Sequence, residues 1–355
     1  MDFGLLIPPL ADSWKVVKRA EELGFARAWF YDTQLLNTEL FVAMTAAALH
    51  TRRIRLATGV LIPSNRIAPV AASGLASLNA LAPGRIDFGI STGFTARRTL
   101  GLGQVRQRDM EEYIRVVQAL LAGDTVDWSY EGQVRKIRFL DAQVGAINID
   151  DPIPLHIAAV GTRGRRLVAR LGAGWLSSVA SVPHAQASIA DMQAAWQAAG
   201  RERATLHASA AISGCVLQPG EAYDSPRVKA QTGANATMTL HAAVEQEEFG
   251  APPRQPLPPH LQPVLERYRE IYRGYTPADA RYLSNHRGHL MYLRPEEQEL
   301  CTAELIRVAT WTAPRDELRD RLRQVAELGY SHVALNFGLG PPERLDEWAD
   351  LFASV

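Results

Sequence analysis

The sequence predicts an α/β protein of the (β/α)8, or TIM, barrel class, and three observations carry that expectation. Eight short apolar runs alternate with helical patterns along the 355 residues, the order expected of a parallel sheet wrapped by helices. A helix-to-strand joint recurs three times, as Leu23-Gly24-Phe25, Leu171-Gly172-Ala173 and Leu328-Gly329-Tyr330, each with Gly where a helix C′ residue sits. Residues 54–95 read as a complete strand–helix–strand unit with hydroxyls and glycines at the ends of both strands, the end at which α/β folds bind ligands. An open doubly wound sheet is the alternative. The absence of a GxGxxG after the first strand weighs against it.

Taken in order, residues 3–7 form the first strand and Pro8-Pro9 ends it. Ser13 is placed to cap a helix over 14–23, and Gly24 closes it. Residues 25–31 form the second strand, with Asp32-Thr33-Gln34 at its end, and 39–50 a helix. The run 54–57 is the third strand, broken at Thr58-Gly59, where Gly signals a bulge or a close backbone approach. Pro69 opens a helix that Pro83-Gly84 ends, and 86–91 is the fourth strand, finishing in Thr92-Gly93-Phe94-Thr95. A helix over 106–121 precedes a hairpin-like excursion over 125–139 around Tyr130-Glu131-Gly132. Residues 154–159 and 175–179 are strands five and six, and 205–217 carries the seventh. Residues 219–288 are rich in Pro, Gly, Asn and His with weak periodicity. A structureless stretch of that length reads as a functional insertion or lid. One domain over 1–355 with an insertion at 218–292 is therefore expected, closed by helices over 295–310 and 314–328, a last strand over 331–337 and a final helix from Pro341.

Composition excludes several function classes. Formal net charge is zero, so a polyanionic partner is not favoured. Only Lys15, Lys18, Lys136 and Lys229 are lysines. Cys215 and Cys301 lie far apart without a CxxC, the pattern of two reduced, packed thiols. No leader pattern precedes the first strand, and no apolar run reaches the roughly 18 residues that span a bilayer. A cytoplasmic protein is expected.

The strand ends list candidate site residues: Pro8, Pro9, Asp32 to Gln34, Gly59 to Asn65, Ser91 to Thr95, Val160 to Thr162, Ser177 and Ser178. This lining is mostly backbone, hydroxyl and glycine. It contains no His-x-His, no strand-end lysine and no Ser/His/Asp set, which argues against a metal site, Schiff-base chemistry and nucleophilic hydrolysis. A site poor in its own acids and bases points to a cofactor that supplies the reactivity. Val160-Gly161-Thr162 before a helix, with Ser177 and Ser178 nearby and Arg163, Arg165 and Arg166 adding charge, is either a phosphate site or a plain loop with a solvated basic face. Arg97 and Arg98 either meet an anionic group or are solvated. His286 and His289, spaced three apart, either bind a metal, deliver a proton or contact a substrate, or are surface or hinge histidines. His156 is read as packed within strand five. Tyr223, Phe249, Tyr268, Tyr272, Tyr275 and Tyr282 either line an apolar cavity or pack the insertion.

Three segments, ATGVLIPSNRIAP at 57–69, GRIDFGISTG at 84–93 and PLHIAAVGTRGRRLVARLGAGWL at 154–176, resemble the bacterial-luciferase-like superfamily, close to its methylenetetrahydromethanopterin-reductase-like and F420-dependent branch. The resemblance covers residues 1–217 and 295–355. It implies a barrel that binds FMN or the deazaflavin F420 at the strand ends, with a non-prolyl cis peptide at Gly59-Val60 behind the ring. It matches Gly161 and Ser178 to phosphate contacts, Asp32 to an acid near the ring and Thr92-Gly93 to a bordering turn, so that Asp32, Gly59, Val60, Thr92, Gly93, Gly161, Thr162, Ser177 and Ser178 form the expected cofactor set. It also implies a homodimer, and for a monooxygenase a separate flavin reductase. Thr33 stands where that branch has a catalytic His, and Phe94 where it has an acid, so those general-acid roles do not carry over. The expected activity is that of a flavin- or F420-dependent oxidoreductase, by hydride transfer or oxygenation. A flavin-binding protein without turnover and a non-redox phosphosugar barrel are the alternatives.

Overall fold

A computed structural model describes residues 1–249 and 257–355, the side chain of Phe249 excepted. Eight parallel strands close into a barrel. They are β1 (Asp2–Ile7), β2 (Arg27–Phe30), β3 (Arg55–Thr58), β4 (Ile86–Ile90), β5 (Leu155–Ala158), β6 (Gly174–Ser178), β7 (Ala208–Ile212) and β8 (His332–Asn336). Each strand pairs with its sequence neighbours, and β1 pairs β8 to close the ring. β4 and β8 therefore face each other across it.

Strand alternation sets the two layers. Leu6, Trp29, Tyr31, Ala57, Leu176, Ala211 and Ala334 form a cluster inside the ring. Their neighbours Leu5, Phe30, Leu56, Trp175, Ala210 and Leu335 belong to the main core beneath the helices. Those helices are α1 (Trp14–Glu22), α2 (Leu40–His50), α3 (Ala68–Leu81), α4 (Gln107–Leu121), α5 (Thr162–Leu171) and α6 (Val182–Ala198). The Leu-Gly joints behave as expected: Gly24, Gly172 and Gly329 have φ of 87°, 64° and 106°, a region that Gly enters without a Cβ penalty. The hairpin also forms, Val126–Tyr130 against Gln133–Ile137, turning on Glu131 and Gly132 at φ 52° and 72°, the sign pattern of a type I′ turn.

Some expectations fail locally. Ser13 does not cap α1 with its side chain; its hydroxyl donates to Pro8 O at 2.9 Å and accepts from Leu10 N at 2.7 Å, so it braces the β1 loop instead. The seventh run splits, because Val216–Leu217 leaves the barrel and pairs with Ala313–Pro314. Residues 295–310 are a 3-10 turn, Pro295–Glu297, followed by a short helix rather than one long helix.

The insertion is helical, not structureless. It holds α7 (Pro226–Phe249) and α8 (Gln262–Arg273), followed by α9 (Ala303–Ala309), then α10 (Arg315–Leu328) and α11 (Arg344–Phe352) of the barrel. Its own core includes Val228, Leu240, Leu265, Tyr268 and Leu305. The periodicity of α7 is hidden because its buried face includes Thr232, Asn235, Thr237, His241 and Glu245. Thr232 and Thr237 donate their hydroxyls to carbonyls one turn back, and Gly233 lets Leu293 lie where a Cβ would stand, 2.8 Å away. A helix whose buried positions are polar but partnered gives no apolar stripe to read.

Cys215 and Cys301 are buried free thiols, and burial pushes each up to about 12. No helix among the described residues is long and apolar enough to cross a membrane.

Candidate active site at the barrel mouth

The β3 end is built by close approach. Thr58 Oγ1 donates to Gly89 O at 2.6 Å and accepts from Gly89 N at 2.9 Å. A Cβ on Gly89 would lie 2.1 Å from Thr58 O, and one on Gly59 would lie 2.5 Å from Trp29 Cβ. Neither site accepts a side chain. The Gly59–Val60 peptide is cis. Beyond it, Leu61 N donates to Gly89 O at 2.8 Å and Ser91 N to Leu61 O at 3.2 Å, so the loop runs alongside β4. Val60 is half-exposed and packs on the cluster inside the ring.

Asp32 stands at the mouth, but its carboxylate turns to this loop. It is 5% exposed, accepts from Ile62 N at 3.0 Å and receives Arg66 at 2.9 Å. Arg66 also pairs with Glu39 and lies over Phe41. The acid expected near the ring is therefore a brace for residues 62–66. Arg66, which the sequence reading passed over, is its partner. The signal was present as an arginine just before the N-terminus of α3, where a lone cation opposes the helix dipole unless an acid answers it.

The β4 turn interlocks with the same loop. Gly93 has φ 79°, and a Cβ there would meet Ile62 Cγ2 and Arg97 Cγ at 2.8 Å. Thr92 O accepts from Val105 N at 2.8 Å. Arg97 donates to Gly103 O at 2.7 Å, holding the next loop, and Arg98 is buried with its guanidinium 5.9 Å from the Phe94 ring. Arg98 is thus withdrawn from solvent, while Arg97 is half-buried and borders a cavity with Ser64 and Arg106.

On the β5–β6 side, Gly161 is the N-cap of α5, exposed, with nothing within 4 Å of a Cβ built there. Thr162 and Ser178 are exposed. Ser177 is 2% exposed and has the outward register, opposite to Leu176 inside the ring. Alternation thus separates the two serines, and only Ser178 is on the accessible face. Arg165 is also withdrawn: it is buried, pairs with Asp191 at 3.0 Å and lies 5.9 Å from the Trp175 ring. Arg163 and Arg166 are exposed. A cavity of about 310 Å³ lies between the β1 and β8 loops, and one of about 420 Å³ between Ser64, Arg97 and Arg106. Neither is lined by Gly161 or Ser178.

His286 and His289 are not surface residues. His286 is fully buried, lies with Nε2 against the Glu245 carboxyl group and meets the Phe94 ring edge-on at 6.4 Å. His289 is 5% exposed, and its Nε2 lies 2.9 Å from Thr95 Oγ1 in the β4 turn. Burial keeps His286 from touching a ligand directly, while His289 reaches the barrel. Behind them, His241, Glu297, Arg294, Tyr268 and Asn285 complete a buried polar network. Among the described residues no group of three metal-binding side chains occurs. Tyr268 and Tyr272 lie in the insertion core with Tyr223 and Tyr275 packed on it, and Tyr282 packs against Gly101. Tyr223, Tyr268, Tyr272 and Tyr275 therefore build the insertion, while Tyr282 reaches the loop after β4. Phe249's side chain lies outside the described residues.

At the opposite end of the ring lies a buried charged plug. Asp87 pairs with Arg27 at 2.7 Å and Arg55 at 2.7 Å. His156, His207 and His332 surround it, and Trp29 Nε1 donates to His332 Nε2 at 3.3 Å. Burial alone would raise the Asp87 carboxyl, but His156, Arg55 and Arg27 hold it well below the usual carboxylate range. Burial lowers all three histidines, and Arg27 adds to the effect.

A model of the luciferase-like monooxygenases matches residues 5–332. The chain belongs to this luciferase-like family. A 5,10-methylenetetrahydromethanopterin reductase of Archaeoglobus fulgidus is 25% identical over 352 residues, 97% of this chain and 96% of that protein. An F420-dependent glucose-6-phosphate dehydrogenase of Beutenbergia cavernae is 37% identical over 139 residues, 37% of this chain and 39% of that one. The solved coenzyme F420-dependent tetrahydromethanopterin reductase of Methanopyrus kandleri superposes with a TM-score of 0.70 at 17% identity, covering 98% of this chain and 97% of that one. That superposition bears on the fold alone. Within the luciferase-like family's barrel, the half-exposed strand-end positions of this chain include Gly59, Val60, Ser91, Ala158 and Asn336. They carry no charge, and they fit a flat, largely apolar ring. Gly161 and Ser178 offer an exposed helix N-terminus and hydroxyl that fit an anionic tail.

Proposed function

We propose that this chain is an oxidoreductase that binds FMN or F420 at the barrel mouth and acts on a small organic substrate. The observation that carries the reading is the uncharged, half-exposed β3 loop at Gly59-Val60, held from behind by Asp32–Arg66 and from the side by Gly93 against Ile62. A preorganised apolar wall of this kind seats a ring without a reordering cost. When bound, either cofactor supplies hydride transfer, and reduced FMN also supplies reaction with oxygen. Val60 backs the ring, and the amides of Gly161 and Thr162 with the Ser178 hydroxyl hold the tail phosphate. His289, with Nε2 2.9 Å from Thr95 Oγ1, sets an imidazole beside the β4 turn; the His286 ring, against Glu245, lies 5.4 Å behind it. With FMN, a separate reductase would supply the reduced cofactor.

A second copy of the chain is the proposed partner. Helices α2 and α3 contain no Asp, Glu, Lys or Arg, yet expose Val42, Leu49, Val70 and Leu81. Apolar exposure on both of two adjacent helices marks a face that another protein surface covers.

Titration with FMN, riboflavin and F420, followed by fluorescence, tests the reading. Gly161→Ala is well suited, because the backbone is ordinary (φ −103°) and no atom crowds the new Cβ. It should leave the melting temperature unchanged and weaken FMN at least tenfold more than riboflavin. Equal weakening of both would remove the phosphate site. Failure of the wild type to bind any of the three would end the redox reading and favour a non-redox barrel.

A further inference from the structure

We propose that residues 286–291 form a crossbar over the barrel mouth, and that Leu290 on its underside determines what the mouth admits. This rests on the reading of the mouth as a ring site, and deepens it by naming the residue that bounds the ring's open face. The crossbar is anchored at two opposite points of the ring. On the β4 side, His289 Nε2 meets Thr95 Oγ1 at 2.9 Å. On the β8 side, Leu339 N donates to Met291 O at 3.2 Å, and a Cβ on Gly338 (φ 63°) would lie 3.2 Å from Leu290 O. Because β4 and β8 lie diametrically opposite in the closed ring, a segment tied to both must cross the opening.

Between the anchors, Leu290 takes φ 59°, the left-handed conformation that non-glycine residues adopt rarely. Its side chain packs on the cluster inside the ring that holds Leu6, Trp29, Ala57, Leu176 and Ala334, the cluster against which Val60 and Ala158 also pack. Leu290 is thus the insertion's contribution to the barrel interior. Val60 and Leu290 would together bound a ring seated at the mouth, and the clearance they set would limit what fits there. The crossbar is also held from above: Met291 N and Tyr292 N both donate to Gly288 O, and His286 is paired to Glu245 of α7. Polar residues keep the bar in place, and the apolar tip sets the clearance. A short flexible loop closed over the site would not need a buried His–Glu anchor.

The test uses the full-length chain, with FMN and F420 as probes and fluorescence quenching as the binding readout. Tryptic cleavage after the exposed Arg287 reports the position of the bar independently of turnover. Leu290→Trp should weaken both ligands at least tenfold. Leu290→Ala, which removes bulk and carries little folding risk, should speed association severalfold and admit larger ring substituents. Ligand should also change the rate of cleavage at Arg287 in the wild type. Wild-type affinity and association in both variants, together with unchanged cleavage, would overturn the crossbar while leaving the ring site standing. A wild type that binds neither ligand would overturn both.

Discussion

Acidification should destabilise this protein through the histidines at the floor of the barrel, well before its carboxylates titrate. The perturbation is a shift from pH 7 to pH 5. His207 is lowered to about 4, by burial first and then by His156 and Arg27, whereas an unfolded chain has it near 6.5. Its folded value is depressed, so between those two values the unfolded state binds the extra proton and stability rises with pH. At pH 5 the unfolded imidazole is protonated and the folded one is not. That difference removes about 2 kcal/mol relative to pH 7 from this one residue. His156 and His332 shift the same way and steepen the loss. Asp87 is depressed as well, but its contribution persists down to the ordinary carboxylate range and fades only below it. Urea unfolding at the two pH values measures the effect. His207→Gln keeps a polar group near Arg27 and Ser331, which the imidazole contacts at 3.3 Å and 3.0 Å. It should lower stability at pH 7 modestly yet shrink the pH 7-to-5 difference by about 2 kcal/mol. An unchanged difference would show that the floor does not hold His207 neutral.

Gly89→Ala should be among the most damaging small substitutions, costing at least about 3 kcal/mol in urea unfolding, because the new methyl would stand 2.1 Å from a backbone oxygen that has no room to retreat. Asp32→Ala leaves the largely buried Arg66 with Glu39 as its one carboxylate and Ile62 N without its acceptor, which should cost about 1–3 kcal/mol; thermal melts would show the loss, and FMN titration should show weaker binding because residues 62–66 lose their brace. Val42→Asp combined with Val70→Asp should turn a dimer into a folded monomer by light scattering with unchanged far-ultraviolet circular dichroism. A wild type already monomeric at micromolar concentration would remove that proposed interface.

Legibility in the sequence tracked how local each feature's cause was. The Leu-Gly joints, the Glu131-Gly132 turn and the strand ends were readable, since a glycine's conformational freedom and a two-residue period act within a few positions. Ser13 was misassigned because a hydroxyl before a helix has two local partners, and only the path of Pro8 decides between them. Asp32 stands at its strand end as read, but its pairing with Arg66 was not legible, because the loop that carries Arg66 folds back over it. The tyrosines of the insertion were candidates for a cavity only while α7 and α8 were unseen. The floor plug escaped almost entirely. Arg27, Arg55, Asp87, His156 and His332 are each a single polar residue near the start of a different strand, unremarkable alone.

By itself the sequence determined the strand–helix alternation, the number of barrel units, the uncharged character of the mouth and the family to which the chain belongs. These follow from backbone propensity and apolar patterning, whose range is a turn or a strand. Only the tertiary structure decided that Ser178 is exposed on the strand face it shares with Leu176 while Ser177 is buried on the other, that Asp32 belongs to Arg66, and that Leu290 crosses the sequence distance from the insertion to pack on the cluster against which Val60 also packs. Ring closure makes these decisions, because it brings together side chains whose codes are written on separate strands and lets each compensate the other's charge or fill the other's space.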